Sequence, residues 1–362
     1  MSHRIRIGLS LLVLSVSGLA SAATVGEMHL ATTTTTAALR DAGGSPKLSI
    51  TVWYPATDGV TEQPLDMGPP GKPLFVSGRA AADAPFAAGT HAVVLLSHGF
   101  GGTARMMGWF GTGLARAGYV VIAVDHPGNN GMGPITQAGA ALWWERAEDL
   151  KAALAAVRAD KVIASHIDPK RGIGVAGFSL GGFTSLVAAG ARVDVSRFVA
   201  FCQAHPHDGV CKPQKEAPQF SGTDAWDHAF DPPAMKAQLA RASGDHAVAG
   251  VRAIYVMGPA LVQALDPASL SALKVRTGII VGSADPIAQP ETNAMVAARG
   301  IHGSALTTLP NVKHYDFLGT CTDAGKASVP LCEGVSGQDA THEKALAEAK
   351  ALFNDTLKDE AP

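Results

Sequence analysis

Along most of its length the chain alternates between short, unbroken apolar runs and longer stretches in which apolar residues recur every three or four positions. His91–Ser97, Tyr119–Val124, Ile173–Ala176, Ala253–Met257 and Thr277–Gly282 are runs of the first kind. Short, apolar throughout and rich in β-branched residues, they predict strands buried on both faces. Stretches of the second kind fall at about Arg105–Ala117, at about Ala140–Ala159, directly after Ser179 and at about Thr341–Leu357, and predict helices. A strand followed by a helix, repeated, predicts a parallel, doubly wound α/β sheet with right-handed crossovers.

Two regions depart from this rhythm. Near the N-terminus, Lys47–Tyr54 alternates apolar and polar residues like a strand with one wet face. Met28–Ala38, with five threonines in a row, reads either as its partner strand or as a low-complexity linker. The turn cluster Asp41–Pro46 between them predicts an antiparallel hairpin at the sheet edge, ended by Pro55. A Gly- and Pro-rich connection, expected to be irregular and superficial, then runs to Thr90. The second departure spans about 192–250, where Pro206, Pro213, Pro218, Pro232 and Pro233 break any period. It is expected to be a cap or lid over Ser179; a surface excursion unrelated to substrate is the alternative.

The length of 362 residues suits one large domain with insertions. With a net charge of −2, nothing in the chain asks for nucleic acid or an anionic membrane as partner. Arg4 and Arg6 precede the apolar run Ile7–Leu19 and then Ala20-Ser21-Ala22. That order is a secretory leader, so residues 1–22 are expected to be removed after about Ala22 and 23–362 to be exported, periplasmic or secreted. An uncleaved anchor is the other reading, although the run is short for a membrane span. Export gives the four cysteines an oxidising setting, and of three connectivities the local pairs Cys202–Cys211 and Cys321–Cys332 are favoured. His205, His207 and Asp208 between the first two raise a metal site as a competitor, but the spacing matches no zinc pattern. No metal or cofactor is expected.

The candidate chemistry centres on Val175-Ala176-Gly177-Phe178-Ser179-Leu180-Gly181-Gly182. A strand that stops at Gly-x-Ser-x-Gly and passes at once into a helix is a nucleophile elbow, in which a tight turn lifts the serine out where a base can reach it. Gly177 and Gly181 are required where a side chain would crowd that turn. The elbow predicts a base after an acid in chain order. Thr277–Pro286 reads as a buried strand that ends in an acid, Asp285, and His314 follows the strand-like run Ala305–Leu309. Of the thirteen histidines no other follows an acid-bearing strand end in that order. Asp316 is too near His314 in sequence, and Asp125 ends the wrong strand. The turn His98-Gly99-Phe100-Gly101-Gly102 after His91–Ser97 predicts an oxyanion donor at the N–H of Phe100, paired with the N–H of Leu180. His98 is expected to brace this turn rather than act as a base. Trp143 and Trp144 are read as packing residues, and Arg146, Glu148 and Asp149 as the solvated face of their helix.

These segments, with Thr51–Pro55, Val124–Gly128 and His314–Leu318, make the chain resemble exported proteins labelled predicted dienelactone hydrolases. That family is close to platelet-activating-factor acetylhydrolase-like members of the α/β-hydrolase superfamily. The resemblance spans most of the mature chain. It implies an α/β-hydrolase fold, a serine triad falling on Ser179, Asp285 and His314, and activity on carboxylic esters. True dienelactone hydrolases use a cysteine nucleophile, so the substrate does not follow from the label. A fainter resemblance extends to exported polyester and cutin-type hydrolases, which share the serine elbow and an aromatic residue at the place of Phe100. The expected function is therefore hydrolysis of small or polymeric esters through an acyl-enzyme. Lipid esters, thioesters or peptides are alternatives, and a non-catalytic binding protein on the same scaffold is the reading from another class.

Overall fold

The computed structural model describes residues 23–357; the expected leader, residues 1–22, lies outside the described residues. Among them, eleven strands form one sheet in the order β10-β9-β8-β7-β5-β6-β2-β1-β4-β11, with β3 paired to β4. Its centre is the parallel set β5 (Val93–Ser97), β6 (Val120–Asp125), β7 (Ile173–Phe178), β8 (Val251–Met257), β9 (Arg276–Gly282) and β10 (Ala305–Leu309). β5 and β7 are buried at every position, as expected of strands with helices on both faces. The helices Gly108–Arg116 and Gln338–Thr356 cover one face and Glu145–Ala159 and Leu180–Ala188 the other.

The N-terminal hairpin forms between β1 (Val25–Thr33) and β2 (Lys47–Pro55), with β2 antiparallel to β6. It is not at the edge. The connection expected to be irregular contains β3 (Gln63–Met67) and β4 (Phe75–Ala82), and β4 joins β1 through Gly26 and Glu27. β11 (Thr320–Cys321) pairs beyond β4. The glycines and prolines that suggested a loop fall mostly between these strands, and the short alternation in β4, buried at Phe75, Ser77, Ala80 and Ala81, is diluted by small residues. The helix expected at about Ala140–Ala159 is two pieces, Gln137–Ala141 and Glu145–Ala159, parted at Leu142–Trp144.

Residues 192–250 hold only short helical segments, including Val195–Ala204, Thr223–Asp227 and Pro233–Leu239, between the helix Leu180–Ala188 and β8. Both expected disulfides are present: Cys202–Cys211 fastens this insertion and Cys321–Cys332 the loop after His314. With its sulfur in a disulfide, neither Cys202 nor Cys211 is a thiolate ligand, and Asp208 instead accepts from Thr292 Oγ1 at 2.8 Å. No helix among the described residues is long and apolar enough to cross a membrane.

Candidate active site

β7 ends at Phe178, and the next residue carries the turn. Ser179 has φ 55° and ψ −119°, in the region a side chain rarely adopts, and the helix starts at Leu180. Holding such a conformation costs about 1–3 kcal/mol, supplied by surrounding structure. Here Ser179 N–H donates to Met257 O at 2.9 Å, and Ser179 O accepts from Gly182 N and Ala260 N. The flanking glycines are obligatory: a β-carbon on Gly177 would lie 2.2 Å from Gly181 O, and one on Gly181 2.0 Å from Ser97 O.

Two other strand ends bring their residues to this serine. His314 opens a short 3-10 turn after β10, and Asp285 lies on the loop after β9. His314 Nε2 is 2.8 Å from Ser179 Oγ, and His314 Nδ1 is 2.6 Å from Asp285 Oδ2. Asp285 Oδ1 accepts the N–H groups of Ile287 and Ala288, both at 2.9 Å, so the carboxylate is fixed from behind. With Asp285 accepting at Nδ1–H, Nε2 is left as the acceptor for the serine hydroxyl. All three residues are buried. Asp316 is engaged elsewhere, accepting from Lys313 N and Ser336 N.

The turn His98–Gly102 packs against the serine, since a β-carbon on Gly99 would touch Ser179 Cβ at 3.3 Å. Phe100 lines the cleft beside Ser179. Leu180 is the first helical residue, so its N–H belongs to the turn that has no intrahelical acceptor. His98 braces the turn: Nδ1–H donates to Gly99 O at 2.6 Å, and Nε2 accepts from His126 N at 3.2 Å.

Behind the turn lies a charged network that the sequence pattern placed on the surface. Arg146 and Asp149 are buried, 1 % and 0 % exposed, and so is Glu145. Arg146 donates to His98 O, to Asn129 Oδ1 at 3.2 Å and to Thr184 Oγ1 at 3.0 Å, and Asn129 Oδ1 also accepts Gly101 N–H at 3.1 Å. Asp149 accepts from both terminal nitrogens of Arg40, at 2.8 and 2.6 Å, and from His126 Nδ1 at 2.8 Å. Burial alone would raise the Asp149 carboxyl, but Arg40 overrides it and holds the group well below the usual carboxylate range. Burial lowers the Arg146 guanidinium to about 9 even with Asp149 nearby, which leaves it charged at neutral pH. Only Glu148 of the expected solvated face is partly exposed, pairing with Lys151 and with His246. The partners Arg40 and Thr36 arrive from the β1–β2 connection, so no local period could reveal them.

Three buried histidines make a pH prediction. Burial and then Arg146 push His98 and His126 far below the ordinary histidine value, and burial takes His342 to about 4. All three are neutral in the fold but protonate near 6.5 once unfolded. The unfolded chain therefore binds more protons as pH falls, and stability drops between about pH 6.5 and 4 by up to ~1.4 kcal/mol per pH unit for each histidine. Urea unfolding at pH 7.5 and 5.5 is expected to show a lower midpoint at the acid end.

The cleft over Ser179 is walled by Phe100, Trp143, Leu180, Ala260, Leu261 and Ile287 from the core domain. Val210, Gln214, Glu216, Ser221 and Trp226 come from the insertion. Trp143 is both a packing residue, with Nε1–H on Ala140 O at 2.7 Å, and a cleft wall. A second cavity that also reaches Ser179 and His314 is lined by Gly101, Met106, Leu331 and again Glu216. Glu216, Trp226 and Asn129 carried no signal in the sequence, since they sit in aperiodic loop-rich stretches.

Residues 93–323 match the model of the Alpha/beta hydrolase family. Among solved structures, a ferulic acid esterase from Streptomyces cinnamoneus is similar over 96% of this chain and 94% of its own, at 18% identity and a TM-score of 0.59. At that identity the likeness is one of fold. No curated protein sequence matches the chain.

Proposed function

This chain belongs to the alpha/beta hydrolase family, and we propose that within it the protein is an exported serine hydrolase of carboxylic esters. The carrying observation is the unbroken Asp285–His314–Ser179 chain, at 2.6 and 2.8 Å, at the base of a largely apolar cleft. Ser179 Oγ attacks the ester carbonyl while His314 Nε2 takes its proton. The histidine returns that proton to the leaving alcohol and then draws one from water to release the acid. Asp285 holds the tautomer and stabilises the imidazolium. The N–H groups of Phe100 and Leu180 receive the oxyanion, which exists only on the way through the reaction. No metal or cofactor is needed.

Residues 192–250 serve as the cap, since five of its side chains wall the cleft and its disulfide ties down the segment next to Val210. The two disulfides support export after cleavage near Ala22. An ester substrate is further supported by the fold shared with the ferulic acid esterase. The assignment to the dienelactone hydrolase and acetylhydrolase-like branch rests on the motifs around Ser97–Gly102 and Ser179. Labelling of the mature protein with a fluorophosphonate probe is the test. A single adduct mapped to Ser179 is expected, and a folded, oxidised protein that takes no label would defeat the reading.

Arg146 gives a second expectation. Arg146→Met removes the donor to His98 O and frees Asn129, loosening the turn that carries the Phe100 N–H. Because one oxyanion donor accounts for about 3 kcal/mol of barrier, kcat is expected to fall by about ten- to a hundredfold with KM little changed. A change confined to KM would show that the turn is held by other contacts.

A further inference from the structure

Glu216 is the one carboxyl in the walls of both cavities that meet at Ser179 and His314. It belongs to the insertion and leans on the oxyanion turn: a β-carbon on Gly101 would lie 2.9 Å from Glu216 Cβ. Its Oε2 is buried and has no hydrogen-bond partner. One further polar atom of the cleft wall shares that condition. The indole Nε1–H of Trp226, another wall of the cleft, is buried and unpartnered. The hydroxyl of Tyr315, the residue after His314, lies beside the Glu216 carboxyl and interacts with it, and the carboxylate pushes the phenol up beyond what burial does. Gln214 and Ser221 beside them are satisfied within the protein, Gln214 by Gly209 O and Lys212 O, Ser221 by Ala217 O.

A buried polar atom without a partner costs about 1–3 kcal/mol, so clusters of them are rare outside places where a ligand completes the bonding. Otherwise the cleft is apolar and aromatic. Burial raises the Glu216 carboxyl. Resting on the ester-hydrolase reading, we propose that Glu216 is a specificity residue: it accepts the hydrogen of a hydroxyl group carried by an otherwise apolar or aromatic ester, while Trp226 N–H is left for a second oxygen of the same substrate. Plain hydrocarbon esters would fit the walls but leave these groups unpaired, and discrimination by an unpaired buried group is stronger than discrimination by size.

Binding separates this from the chemistry. Ser179→Ala protein is titrated calorimetrically with two matched pairs: methyl 3-(4-hydroxyphenyl)propanoate against methyl 3-phenylpropanoate, and methyl 3-hydroxybutyrate against methyl butyrate. In at least one pair the hydroxylated ester is expected to bind about ten- to a hundredfold tighter. That ratio should collapse to about one in Ser179→Ala/Glu216→Leu and survive in part in Ser179→Ala/Glu216→Gln, whose amide oxygen still accepts. The isosteric glutamine variant also guards against a leucine variant that fails to fold. Equal binding within both pairs, or a preference that Glu216→Leu and Glu216→Gln leave intact, overturns the proposal. Probe labelling of Ser179 and turnover of the unhydroxylated esters by the unaltered protein test the hydrolase reading separately, so either idea can fail alone.

Discussion

Ser179→Ala is expected to lower ester turnover by about 10⁴- to 10⁶-fold and to abolish fluorophosphonate labelling, while the fold stays intact. Only the Oγ is removed, and among the described residues its hydrogen-bond partner is His314 Nε2. The backbone bonds that hold the elbow, from Ser179 N to Met257 O and from Gly182 N to Ser179 O, do not involve the side chain. What remains would be the turnover that the Phe100 and Leu180 N–H groups and the cleft support without a nucleophile. Asp285→Asn should also be severe, about 10⁴-fold, because an amide donating to Nδ1 leaves the wrong imidazole nitrogen facing the serine. Turnover of p-nitrophenyl acetate checks both. A Ser179→Ala protein that keeps more than about one per cent of activity would exclude the mechanism.

The largest stability effect is expected at a residue that touches no substrate. Asp149→Ala would leave Arg40, which is fully buried, without its two-point partner and His126 without its acceptor. Breaking a buried ion pair from one side costs about 3–5 kcal/mol, because the remaining charge is stranded away from water. The same change unseats His126, whose backbone N–H supports His98 under the turn His98–Gly102 beside Ser179, so activity should fall with stability. The double variant Arg40→Met/Asp149→Leu should recover much of the stability, since no charge is left unpaired. Urea midpoints of the three proteins measure this. A single variant as stable as the parent would mean that water reaches Arg40.

The central strands were legible because each is an unbroken apolar run bounded by turn residues, and burial on two faces needs little else. β3 and β4 were not, because short strands at a sheet margin are made of small or polar residues whose pairing lies far along the chain. Gln63 pairs with Ala80 and Gly26 with Ala81, and neither register leaves a local period. The helix Glu145–Ala159 misled for a related reason. Its charges look like a wet face until Arg40 and Thr36 arrive from the β1–β2 connection and Arg241 from the insertion.

By itself the sequence determined the order strand–elbow–helix, the glycines that make it possible, and the positions of Asp285 and His314 after two later strands. Those are local or ordered features: a β-carbon at Gly181 clashes whatever the distant chain does, and strand ends of a parallel sheet share one edge. For the cysteines the sequence favoured the two local pairs among three connectivities, and the structure has both. Only the tertiary structure decided which charges are buried, which insertion residues line the cleft at Ser179, and that Glu216 and Trp226 each keep a polar atom without a partner. Those properties depend on what packs against a side chain, and here the neighbours lie up to a hundred residues or more away, as Arg40 does from Asp149.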